Sequence, residues 1–119
     1  MERRLRLRNT NDVRKVYSEG RSWAHALLVL IARPNGLSLT RVGVAASRKL
    51  GGAVVRNRAK RMLREAARHL YPHMAPGWDI MLVARPPITR VQEPQVEEAL
   101  ILLLKQSRLG IEQSTGPEG

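Results

Sequence analysis

The residues best equipped for chemistry lie between Ser47 and Arg68, where eight Lys and Arg side chains accompany one acid, Glu65. Ser47-Arg48-Lys49-Leu50-Gly51-Gly52 leads there into a run of good helix formers, Ala53 to Leu70. Counting about 100° per residue from Arg56, Arg56, Asn57, Lys60, Arg61, Arg64 and Arg68 fall within an arc of roughly 140°, with Arg58 and Glu65 just past its edge. Val55, Ala59, Met62, Leu63, Ala66 and Leu70 occupy the other side and form a core face. Guanidinium groups fork two hydrogen bonds onto a phosphate and stack on bases, so the polar arc has the chemistry of a polyanion binder. The i,i+4 pairs Arg56/Lys60, Lys60/Arg64 and Arg64/Arg68 each cost about 0.2–0.5 kcal/mol in an isolated helix, a repulsion that a neighbouring phosphate backbone removes. Gly51 and Gly52 permit close backbone approach, and the helix start after them offers free N–H groups to an anion; a plain turn would use the same glycines. Lys49 precedes the glycines and no GxGxxG occurs, so this is no Walker or dinucleotide loop.

Groups for independent hydrolysis are harder to assemble. His69 and His73 have i,i+4 spacing, but Tyr71-Pro72 breaks the helix between them and no Cys or obvious acidic third ligand accompanies them, so no metal site is expected. His25 reads as a hydrogen-bonded structural residue, Asp12 as part of a helix cap, and Asp79 as a strand-entry residue. A protein-held two-metal site has no support. Asn57 could touch a hydrated divalent ion brought by a polyanion but has no charge to bind it alone.

These side chains must be positioned by a chain of 119 residues with 21 Lys and Arg, 10 Asp and Glu, a formal charge of +11, 43% hydrophobic residues and no Cys. That suits one compact domain with a real core and excludes wholesale disorder. Disulfides, thiolate metal sites and cysteine nucleophiles are excluded together, which suits a reducing compartment. No apolar block of signal-peptide length opens the chain, and the longest apolar run, Ala26 to Ala32, is too short to span a bilayer; the expected address is the cytoplasm, with no membrane partner. Residues 1–70 hold 17 cations against 4 anions, whereas residues 71–119 hold 4 against 6. A surplus so concentrated attracts a polyanion. Nucleic acid is the leading partner, ahead of anionic lipid or mere solubility.

Thr10-Asn11-Asp12 before Val13, Val16 and Tyr17, with Gly20 after, predicts a short capped helix. Trp23 to Arg33 reads as one buried strand ending at Pro34-Asn35-Gly36, and Thr40 to Ser47 as a second, the two forming an antiparallel hairpin. Gly43 suggests a bulge or close approach. Trp78 to Ala84 is a third strand. A last helix carries Pro94 in its first turn and the stripe Val96, Ala99, Leu100, Leu103 and Leu104, and closes at Gly110. The fold class is therefore α+β: an α-β-β-α-β-α sandwich, a small mixed sheet covered by helices. Residues 1–110 form a single domain and residues 111–119 a disordered tail. From the second strand through the basic helix to the third, the chain is long enough for a parallel crossover, right-handed by default.

The run Arg41-Val-Gly-Val-Ala-Ala-Ser-Arg-Lys-Leu-Gly-Gly-Ala-Val-Val-Arg-Asn-Arg-Ala-Lys-Arg-Met-Leu-Arg-Glu-Ala closely resembles the signature of the bacterial ribonuclease P protein subunit. At its centre is Arg56-Asn57-Arg58, followed by Lys60-Arg61 and Arg64-Glu65. The likeness extends to the Arg3–Arg8 arm, the first helix, Gly20-Arg21-Ser22, Pro34-Asn35 and the Trp78 strand, covering roughly residues 3–109. It implies the non-catalytic protein subunit of an endoribonuclease whose catalytic RNA removes the 5′ leader of precursor tRNA, with Mg²⁺ held mainly by that RNA and no small-molecule substrate. It implies that Ser47, Arg48, Lys49, Arg56, Asn57, Arg58, Lys60, Arg61 and Arg64 face the catalytic RNA. It also implies a cleft between the first helix and the sheet for the single-stranded leader, lined here by Val13, Tyr17, Leu28 and Ile31. Relatives usually carry Phe where this chain has Val13, and often carry rings at the strand positions of Leu28 and Ile31. The resemblance further implies a left-handed crossover around the basic helix, and that reading is adopted over the default. The charge alone is equally that of a generic ribosomal or RNA-chaperone module, and a free-standing nuclease is the remaining alternative.

Overall fold

A computed structural model describes residues 1–110; the expected tail, residues 111–119, lies outside them. The elements are α1 (Thr10–Glu19), β1 (Arg21–Ala24), β2 (Leu28–Pro34), β3 (Arg41–Ala45), α2 (Ala53–Leu70), β4 (Trp78–Ala84) and α3 (Glu93–Ser107). The fold is α+β as expected, with one strand more than the sequence pattern suggested. The segment Trp23–Arg33 folds back at His25, whose Nδ1 accepts the Leu27 N–H at 3.0 Å while the His25 N–H donates to the Leu28 carbonyl at 2.8 Å. A side chain that satisfies the backbone locally offers it an alternative to the strand ladder. Two short antiparallel strands, Arg21↔Ala32 to Ala24↔Val29, replace one long one.

The expected hairpin between the Trp23 segment and β3 does not form. The sheet order is β1-β2-β4-β3, with β4 antiparallel to β2 and parallel to β3. Five of the seven residues of β4 are buried, and a strand apolar on both faces needs a neighbour at each edge. The central place therefore falls to β4, and β3 reaches it through the α2 crossover.

Side chains on one sheet face, including Leu28, Leu30, Ile80 and Leu82, pack with Ala59, Met62, Leu63, Ala66 and Ala67 of α2 and with Val96, Leu100 and Leu103 of α3. On the other face α1 seats Val16 against Leu7 and Met81. Asn9 caps α1, its side chain accepting from the Asn11 and Asp12 N–H groups at 2.9 and 3.2 Å. Gln92 and Gln95 cap the start of α3 reciprocally, and Arg108, at φ 61°, ends it before Gly110 is reached. Gly43 is the close approach anticipated: a Cβ there would lie 2.6 Å from Met81 Sδ and 2.7 Å from the Leu7 carbonyl. That space admits the N-terminal arm, whose Leu7 N–H donates to the Val42 carbonyl at 3.0 Å along the free edge of β3.

One buried charge holds the layers together. Arg41 Nε and Nη2 donate to Asp79 Oδ1 and Oδ2 at 2.9 and 2.7 Å, and Nη1 lies 3.4 Å from Asp12 of α1. Asn35 Nδ2 donates to the same Asp79 Oδ1 at 3.0 Å. Asp79 is fully buried, and the two-pronged pairing keeps the Arg41 guanidinium protonated beyond its ordinary range. Replacing Asp79 by Ala strands the arginine and opens the β3–β4–α1 junction. The expected loss is about 3 kcal/mol, the low end for an opened buried pair because Arg41 keeps some solvent contact. Urea unfolding checks it as a lowered midpoint at unchanged slope.

Candidate nucleic-acid interface

Helix α2 begins where the sequence places it. Ser47 follows β3, a tight 3-10 turn spans Arg48–Leu50, and Gly51 adopts φ 144°, which side-chain-bearing residues avoid. A Cβ on Gly51 would also meet Val55 at 3.2 Å. Gly52 then stands at the helix start with no side-chain cap and no acid in the first turn, so the first N–H groups and the positive end of the helix dipole lie beside exposed Arg48 and Lys49.

The apolar arc is buried except at its first residue: Ala59, Met62, Leu63, Ala66 and Leu70 are buried, with Ala67 added, whereas Val55, in the first turn, stays half-exposed. Burial of this face leaves Asn57, Arg61, Arg64 and Arg68 exposed and Arg56 and Lys60 half-exposed. Glu65 is taken by Arg68 at 2.6 Å and by His69 at 3.1 Å. Among the described residues, Arg48, Lys49, Arg56, Lys60, Arg61 and Arg64 make no ion pair.

Arg58 departs from the rest. It lies past the edge of the polar arc, and its Nη2 donates to the Val91 carbonyl at 2.9 Å, just ahead of α3. It is therefore a clamp between α2 and α3 as well as a cation, a role the helical wheel leaves invisible because Val91 is 33 residues away.

The sequence pattern also left the N-terminal arm without a role. A 3-10 turn over Arg3–Leu5 leads into a single bridge from Arg6 to Val42, with Leu5 and Leu7 buried and Arg4, Arg6 and Arg8 exposed. Docked on β3, the arm brings Arg6 and Arg8 opposite Arg61, Arg64 and Arg68 across a cleft of about 300 Å³. Five guanidinium groups and one carboxylate, Glu65, line it.

On the opposite sheet face lie three of the four residues expected at the leader cleft. Val13 and Ile31 are half-buried beside α1 and Tyr17 is 48% exposed. Leu28 does not belong to it: this residue is fully buried in the core beneath α2 and α3. Alternation along β2 puts Leu28, Leu30 and Ala32 on one face and Val29 and Ile31 on the other, so Leu28 and Ile31 cannot line the same cleft. The register gives the open floor as Ala24–Val29–Val83–Ala45 across the four strands. Ala45 ends β3, and Ser47–Lys49 follow within a few residues, so the groove and the basic face meet around that edge.

Residues 1–108 match a family model described as Ribonuclease P. The chain is 43% identical over 119 residues to the ribonuclease P protein component of Roseiflexus castenholzii, covering 99% of this chain and 96% of that protein. Its fold is similar to the RNase P protein of Staphylococcus aureus, with TM-score 0.79 and 30% identity over 88% of this chain and 96% of that one. Against the RNase P protein of Thermotoga maritima the TM-score is 0.77 at 34% identity, covering 85% and 96%.

Arg58 and Arg61 separate the two functions of the helix. Arg61→Ala should leave the unfolding midpoint within about 0.5 kcal/mol of the parent and lower the slope of log affinity for a structured RNA against log salt by about 0.7–0.9. Arg58→Ala should cost about 1.5–3 kcal/mol of stability through the lost hydrogen bond. Chemical unfolding and filter binding across a salt series measure both.

Proposed function

The chain belongs to the ribonuclease P protein family, and from that premise we propose that it is the non-catalytic protein subunit of a ribonuclease P. The basic face of α2, with Ser47, Arg48 and Lys49, docks on the catalytic RNA. The groove beside α1 receives the single-stranded 5′ leader of precursor tRNA. One observation carries this reading: the six cations Arg48, Lys49, Arg56, Lys60, Arg61 and Arg64 have no acidic partner among the described residues, and RNA phosphates would supply the missing charge. Counterion release from such contacts drives binding and makes it salt-sensitive. In the groove Tyr17 is the stacking group, and the aliphatic floor of Val29, Ile31 and Val83 gives bases an apolar surface without rings.

The carboxylates beside the basic helix and at the β3–β4 junction are already engaged. Asp79 is buried against Arg41, Asp12 faces the same arginine, and Glu65 is paired with Arg68. Among the described residues the docking face thus offers no free carboxylate to hold Mg²⁺, and the ion needed for cleavage belongs with the RNA phosphates. The protein's contribution is to neutralise, orient and hold the two RNAs together.

Reconstitution tests the proposal. With precursor tRNA at low Mg²⁺, the chain alone should cleave nothing, the catalytic RNA alone should act weakly, and the two together should remove the leader rapidly. Cleavage by the chain alone would make it a nuclease; an RNA enzyme indifferent to its addition would make it a generic RNA-binding module.

A further inference from the structure

Away from the basic face, the C-terminal half of α2 meets the first turns of α3 in a group of side chains that the RNA-docking role does not use. We propose that His69, Glu93 and Glu97 form a divalent-cation site that ties α2 to α3 and takes zinc or a similar borderline transition ion. The ligand atoms of these three residues all lie within 4.8 Å of one another. They come from two separate helices and line a surface depression with Pro94, Glu98 and Ile101. His69 Nδ1 lies 2.9 Å from Glu97 Oε2.

Glu93 supplies an independent observation. Its Oε2 is closed off from solvent and accepts no hydrogen bond. Glu93 as a whole is half-buried, but an oxygen shut off from water without a donor is still costly, and the groups converging beside it are a second carboxylate and an imidazole. The positive end of the α3 dipole favours one acid in its first turn, but it does not account for a second carboxylate and a histidine converging on the same point. A cation bound by all three satisfies the orphaned oxygen and separates the carboxylate charges.

The surroundings of His69 fit metal ligation. A ligating imidazole commonly hands its other ring nitrogen to a carboxylate, which fixes the ring and raises its basicity. Here Nε2 lies 3.1 Å from Glu65 Oε2. Arg68 Nη2, which can only donate, also lies 2.9 Å from Nε2 and is engaged by Glu65 at 2.6 Å; with Nδ1 on a metal, Nε2 keeps its proton for Glu65, the outer partner, and Arg68 stays on that carboxylate. One nitrogen and two carboxylates match zinc-type ions better than magnesium, which demands an octahedral shell of oxygens. His73, suggested by the i,i+4 spacing, is not part of the group; the acids come from α3, which spacing along α2 cannot reveal. Facing away from Lys60 and Arg64, the site can be filled while RNA is docked, and filling it would stiffen the helix that RNA grips.

Calorimetric titration of the full chain with zinc chloride, beside thermal unfolding in zinc or magnesium chloride, tests this. The expected result is one zinc bound per chain, a raised Tm in zinc and no comparable shift in magnesium. Both effects should weaken about tenfold or more in His69→Ala and Glu97→Gln, neither of which removes a buried core side chain. In the parent, zinc should move the His69 Nδ1 resonance, while Glu65→Gln should weaken uptake without abolishing it. No stoichiometric zinc uptake by the parent overturns the proposal, as does uptake that survives His69→Ala. Stabilisation by Glu93→Gln in a chain that takes up no zinc would assign the cluster to a shared proton and would overturn it equally.

Discussion

Helix α2 must bury one side and leave the other charged, with Arg56, Lys60, Arg61 and Arg64 making no ion pair among the described residues. The energetics permit this because the two sides differ in scale. The three like-charge i,i+4 pairs cost about 0.2–0.5 kcal/mol each, whereas full burial of a Leu or Met side chain contributes about 1.5–3 kcal/mol. Met62, Leu63 and Leu70, packed with Ala59, Ala66 and Ala67, therefore outweigh the repulsion. The helix is held by what lies beneath it, and its outer surface is free to be composed for a partner.

The rest of the fold can be understood as support for that arrangement. Parallel pairing of β3 with central β4 fixes both ends of the crossover that contains α2. Arg41 and Asp79 pin those two strands together, and the contact of Arg41 with Asp12 orients α1 on the far face, so the groove and the basic helix share one electrostatic anchor. Gly43 admits the N-terminal arm and adds Arg6 and Arg8 to the cation set. Arg58 and the His69 cluster secure α3 along the side of α2 that RNA does not need.

Sequence reading reached those parts whose signals are local and periodic. Helix α2 and strand β4 begin and end where the apolar pattern and the Gly, Tyr-Pro and Pro-Gly breaks put them, and His25 is the hydrogen-bonded structural residue anticipated. Reading failed where long-range pairing decides. The apolar run from Trp23 to Arg33 conceals a turn made by one imidazole. Nothing in the loop between β2 and β3 says that a strand 44 residues on will come between them, although the buried Asn35–Asp79 hydrogen bond records it. Leu28 looks as suited to a groove as Val29 until the phase of β2 is known. Most of the basic surface was legible because like charges at helical spacing are unusual without a polyanion; the arm's share of it, and the tie from Arg58 to Val91, depend on contacts no helical wheel contains.

That α2 lies against folded RNA can be tested by site-directed crosslinking, since the native chain has no cysteine. Arg64→Cys on the basic face and Glu98→Cys on the outer side of α3 each provide one thiol for a photoactivatable probe in the reconstituted complex. The account predicts efficient crosslinks from position 64 to the catalytic RNA and few from position 98. Crosslinks from position 98 with none from position 64 would contradict it.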